Sequence, residues 1–95
     1  MVTAIVLIRA DVARIPETGA AIAQIPQVTE VYSVTGDFDL VAILRVKDHE
    51  EIADIVTSKL SQVPGIVKTR THVAFKVYSK HDLEAMFSVG LEEAR

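Results

Sequence analysis

Ninety-five residues, 49% of them hydrophobic, with a formal net charge of −3 and neither cysteine nor tryptophan, specify one small folded domain rather than a disordered chain. The composition excludes disulfide scaffolds and thiol chemistry, and its apolar runs are too short and interrupted to span a bilayer. The ten Lys and Arg are scattered, so there is no basic footprint for nucleic acid.

The chain opens directly on an apolar run with no basic leader segment and no small-residue cleavage site, which argues against a secretory signal and makes the cytoplasm the default. Residues 2–9 are β-branched and apolar and predict a strand. Ile15, Gly19, Ile22 and Ile25 recur at helical spacing, Pro16 suits a first turn, and Pro26 stops the helix. Residues 28–35 and 38–47 predict two strands joined at Gly36-Asp37. Asp48, with Glu51 three places on, caps a second helix whose apolar face is Ile52, Ile55, Val56, Leu60 and Val63, and Pro64-Gly65 ends it. Residues 66–78 predict the last strand, with Val67, Thr69, Thr71, Val73, Phe75 and Val77 on one face. A tail over 79–95 follows the domain of 1–78; Ser79 and Asp82 can cap a short helix there, with Leu83, Met86 and Phe87 on one side.

The halves repeat. Ala4-Ile5-Val6-Leu7-Ile8-Arg9 aligns with Ala42-Ile43-Leu44-Arg45-Val46-Lys47, and Gln24-Ile25-Pro26 with Gln62-Val63-Pro64, both at an offset of 42 − 4 = 62 − 24 = 38 residues. Two strand–helix–strand units give the order βαββαβ: an α+β, ferredoxin-like split βαβ fold with a four-stranded antiparallel sheet. Its central strands are apolar on both faces, Ile5 and Leu7 alternating with Ala4, Val6 and Ile8, and Val41 and Ile43 with Phe38, Leu40, Ala42, Leu44 and Val46. Leaving four or five aliphatic side chains in water at about 2 kcal/mol each would rival the net stability of a domain, so a second copy packed sheet to sheet is expected.

Nothing specifies an enzyme. His49, His72 and His81 have no metal-ligand spacing, the serines fall in no nucleophile pattern, and no glycine-rich phosphate loop occurs, so neither metal nor cofactor is expected. The informative segment is Val34-Thr35-Gly36-Asp37-Phe38-Asp39-Leu40. A glycine turn with flanking carboxylates offers backbone N–H groups and acceptors suited to a small zwitterion.

That segment, with Val63-Pro64-Gly65-Ile66-Val67-Lys68-Thr69-Arg70-Thr71 after the second helix, resembles the effector-binding (RAM) domain of the Lrp/AsnC regulators over residues 2–78. The resemblance implies amino-acid sensing by homodimers that associate further, often to octamers, with the effector between dimers. It implies contacts from Gly36, Asp37, Phe38 and Asp39 of the turn and from Thr69 and Thr71 of the last strand. Full-length members carry a preceding helix-turn-helix domain, whereas this chain starts at the first sensor strand, so a stand-alone sensor that assembles with a DNA-binding homologue is expected. Two alternatives share the topology: a small dimeric α+β barrel enzyme, for which His72 is the lone candidate catalytic group, and an ACT-type regulatory domain.

Overall fold

The computed structural model describes residues 1–80. Six main elements follow the expected order: β1 (Val2–Ala10), α1 (Ile15–Ala23), β2 (Val28–Ser33), β3 (Leu40–Val46), α2 (His49–Asp54) and β4 (Ile66–Val73). The strands form one antiparallel sheet in the order β2-β3-β1-β4. The two central strands are the two copies of the internal repeat, with Ala4 opposite Leu44 and Val6 opposite Ala42.

Alternation along β1 and β3 buries Ala4, Val6, Ile8, Ala10, Leu40, Ala42, Leu44 and Val46 beneath Ile22 of α1 and Ile52, Ile55 and Leu60 of the second helical segment. The other face has no element over it among the described residues. There Ile5, Leu7, Val41 and Ile43 remain only half buried, as their alternation requires.

The helix ends follow local chemistry. Asp48 accepts the Glu51 N–H at 2.9 Å, and the Glu51 carboxylate accepts the Lys47 N–H at 3.0 Å, so the start of α2 is closed by a reciprocal pair. Past Asp54 the helical path widens into a π turn over Ile55–Lys59 and tightens into a 3-10 turn over Leu60–Gln62. Thr57 and Ser61 donate their hydroxyls to the carbonyls of Ala53 and Thr57, four residues back, a bonding pattern that loosens regular helix.

The last strand is shorter than its alternation predicts. Its final ladder bond is Ala74 N–H to Thr3 O at 2.9 Å, and β1 begins at Val2, so residues 75–78 have no strand to pair with. Phe75 is fully exposed, and Val77 and Tyr78 are also exposed. The helix expected within 79–95, with Leu83, Met86 and Phe87, and the histidine His81 lie outside the described residues. Among the described residues, no helix is long and apolar enough to cross a membrane.

Candidate functional site

The turn between β2 and β3 spans residues 34–39 and is fastened to the end of β1. Gly36 takes φ 109°, a conformation that side-chain-bearing residues rarely adopt, and a Cβ placed there would meet nothing within 4 Å, so the glycine is required by the backbone and not by crowding. Val34 N–H donates to Asp39 O at 3.0 Å, and Asp39 N–H donates to Ile8 O at 2.9 Å. The Asp39 carboxylate accepts the Ala10 N–H at 2.8 Å, which satisfies a backbone donor where β1 leaves the sheet. Arg9 donates through Nε (3.3 Å) and a terminal nitrogen (2.9 Å) to the Asp37 carbonyl.

Phe38 does not continue the buried side of β3. The strand starts at Leu40, so the ring is free of its alternation and lies on the open face, 5.5 Å from the Arg70 guanidinium and 5.9 Å from that of Arg9. The grouping of Phe38 with Leu40, Ala42, Leu44 and Val46 is therefore corrected. Arg9 and Arg70, not singled out in the sequence, hold the turn's carbonyl and its ring. The signal was available: Arg9 alternates against buried Ile8 and Ala10, and Arg70 against Thr69 and Thr71.

The six sequence-selected residues do not converge within one copy. Gly36, Asp37, Phe38 and Asp39 form the turn, with the Asp37 side chain exposed and that of Asp39 already bonded to backbone. Thr69 and Thr71 sit opposite Ile8 and Val6, on the helix-covered face and away from Phe38. Thr71 borders a shallow groove of 280 Å³ between β4 and the second helix, lined by Ile52, Ala53, Val56, Thr57 and Val73 with His49 at its edge. Among the described residues, no cluster of three or more His, Cys, Asp or Glu is arranged to hold a metal ion.

Another residue without a sequence signal fixes the Pro64-Gly65 corner. Thr18, 1% exposed, donates its hydroxyl to the Pro64 carbonyl at 3.0 Å. Gly65, at φ 95°, lies so close that a Cβ would overlap Thr18 Oγ1, and its own carbonyl accepts the Asp11 N–H at 2.8 Å. The corner thus docks α1 and positions the start of β4.

Residues 3–83 match the Lrp/AsnC ligand binding domain. The chain is 41% identical over 75 residues to PF1734 of Pyrococcus furiosus, an uncharacterized HTH-type transcriptional regulator, covering 79% of this chain and 50% of that protein. It spans about half the length of the curated relatives it matches. Among solved structures, TTHA0845 from Thermus thermophilus is 50% identical with a TM-score of 0.79, over 84% of this chain and 100% of that one. A feast or famine regulatory protein from M. tuberculosis, complexed with L-methionine, shares the fold at 23% identity and a TM-score of 0.71, over 84% of this chain and 54% of that one. A regulatory ligand-binding match leaves the enzyme and ACT alternatives without support, and it takes in the whole sheet, both helices, the Gly36 turn and the Pro64-Gly65 corner: the chain belongs to the Lrp/AsnC ligand-binding domain family.

Proposed function

We propose that this chain is an amino-acid-binding, oligomerising regulatory module, with residues 1–78 as its binding unit, that acts in the cytoplasm. It influences transcription or metabolism through ligand-dependent assembly, including mixed assembly with homologues that carry a helix-turn-helix domain. The observation that carries this reading is the match of residues 3–83, which takes in all four strands and both helices, to a ligand-binding domain whose relatives are named transcriptional regulators. The L-methionine bound to a protein of the same fold supports an amino acid as the effector class.

The geometry supports a site shared between copies. Phe38 and the two threonines occupy opposite faces of one sheet, so a small ligand touching both sets draws the turn from one copy and Thr69 and Thr71 from another. Exposed N–H groups near Gly36 and the threonine hydroxyls suit a carboxylate, and the exposed Asp37 suits an ammonium. The half-buried aliphatic strip on the open face supplies the surface for the first, dimeric contact.

A thermal-shift screen against the twenty amino acids, read beside light scattering, tests the proposal. A concentration-dependent rise in melting temperature for one or a few amino acids, with a change in assembly size, is expected. Titration calorimetry on Asp37→Ala and Thr71→Ala should then show weaker binding of that amino acid, and no response to any of the twenty would overturn the reading.

A further inference from the structure

A cavity of 520 Å³, within the range of small-ligand sites, lies at the far end of the sheet from the Gly36 turn and is lined by Met1, Thr3, Arg45, Phe75, Lys76 and Val77. Thr3 is seven residues along β1 from Ala10, where the Asp39 carboxylate fastens that turn. At the rise of a strand this is about 23 Å, so the two places share no ligand within one copy.

The charged groups of the cavity are of one sign. Arg45 stands opposite Thr3, and beyond a 3.5 Å contact with that hydroxyl its guanidinium has no side-chain partner among the described residues. Lys76 meets the Tyr78 ring, with its nitrogen 5.2 Å from the centroid, and has no carboxylate partner among the described residues. No Asp or Glu lines the cavity. The stretch 75–78 runs past the start of β1, so its amides have no strand to bond and add N–H donors along one wall. The internal repeat marks Arg45 as a departure: 38 residues earlier stands Leu7, half buried on the open face, and the second copy puts a guanidinium where the first has an aliphatic side chain.

We propose that this cavity binds a small organic oxyanion, a phosphate ester or a carboxylate carried on an apolar body. The planar fork of Arg45 takes two oxygens of the head group, Lys76 supplies a second charge on a flexible stem, and the Thr3 hydroxyl donates a further hydrogen bond. Met1, Phe75 and Val77, all exposed, offer the apolar body a surface otherwise left to water. An ammonium group finds no carboxylate in this wall, so the ligand is an anion rather than the zwitterion suited to the Gly36 turn. The site goes beyond the amino-acid reading and stands or falls separately from it.

Titration calorimetry of the full chain at low salt tests the site, with phenyl phosphate in one arm and benzoate in the other. The probes share a ring and differ in the head group, so the tighter one identifies the anion. At least one should bind saturably, and Arg45→Gln and Lys76→Gln should each weaken it at least about tenfold through loss of a charge-assisted hydrogen bond. Arg45→Lys, which keeps the charge and loses the fork, should fall between Arg45→Gln and the parent. Lys68→Gln removes an equal charge near the other end of β4, opposite Arg9, and should stay within about twofold of the parent. Circular dichroism confirms that each variant is folded, and Arg45→Lys replaces Arg45→Gln should the latter unfold. No saturable heat with either probe, or an affinity that the cavity variants leave unchanged, overturns the site. An equal loss in Lys68→Gln also overturns it, since that marks general charge attraction.

Discussion

Thr18 and Pro64, 46 residues apart, are joined by a 3.0 Å hydrogen bond from the threonine hydroxyl to the proline carbonyl, directly beside the positive-φ Gly65. The bond ties the first helix to the corner from which the last strand departs. Gly65→Ala must accept both a left-handed backbone and an overlap with Thr18 Oγ1, and a loss of about 3 kcal/mol is expected in urea unfolding at fixed protein concentration. Thr18→Ala alone should cost about 1 to 2 kcal/mol. The double variant should cost less than the sum, because removing the hydroxyl removes the overlap.

Asp39 is a structural carboxylate in this copy of the fold. Replacing it with alanine leaves the part-buried Ala10 N–H without its acceptor, and a loss of roughly 1 to 3 kcal/mol is expected, with Asp39→Asn intermediate because the amide oxygen can still accept. Hydrogen exchange at the Ala10 amide should quicken in Asp39→Ala. Unchanged exchange would remove the carboxylate from the turn's bracing.

Gly19 offers a gain. It lies inside α1, where a Cβ would meet Leu40 Cδ2 at an ordinary 3.6 Å, so Gly19→Ala restricts the unfolded chain without a clash. A stabilisation of about 0.4 to 1 kcal/mol is expected in the same unfolding assay.

Tyr32 reports on Glu30. The hydrogen bond to the carboxylate raises the phenol's pKa first, with burial and the carboxylate's charge adding to it. In a Tyr78→Phe background, which leaves one tyrosine, absorbance titration should place the Tyr32 midpoint above the usual tyrosine range. Glu30→Gln should lower it, since the neutral amide no longer favours the protonated phenol electrostatically. An unmoved midpoint would remove the Glu30–Tyr32 contact.

Much of the fold was legible because the signals were local. The β-branched runs, the prolines at 16, 26 and 64, and the Asp48/Glu51 cap each act within a few residues, and the 38-residue repeat supplied the topology. The end of β4 was not legible. Alternation through Val77 continues past the point where β1 runs out, and a strand needs a neighbour as well as a pattern. The candidate site was half legible: the Gly36 turn stood out, but the positions of Arg9 and Arg70 around it, and of Thr18 at the Pro64-Gly65 corner, depend on register and on contacts tens of residues away. Phe38 was assigned to the wrong side because its alternation was counted from a strand that begins two residues later.

Arg9 belongs to two structures at once. Its backbone is part of a central strand, while its guanidinium grips the carbonyl of Asp37 and flanks the ring of Phe38. Any displacement of that bend must therefore pull on a residue of the flat surface where a neighbour would rest. If the bend holds a metabolite and the surface holds a protomer, each binding event alters the other by the same factor, and one guanidinium is the lever between them.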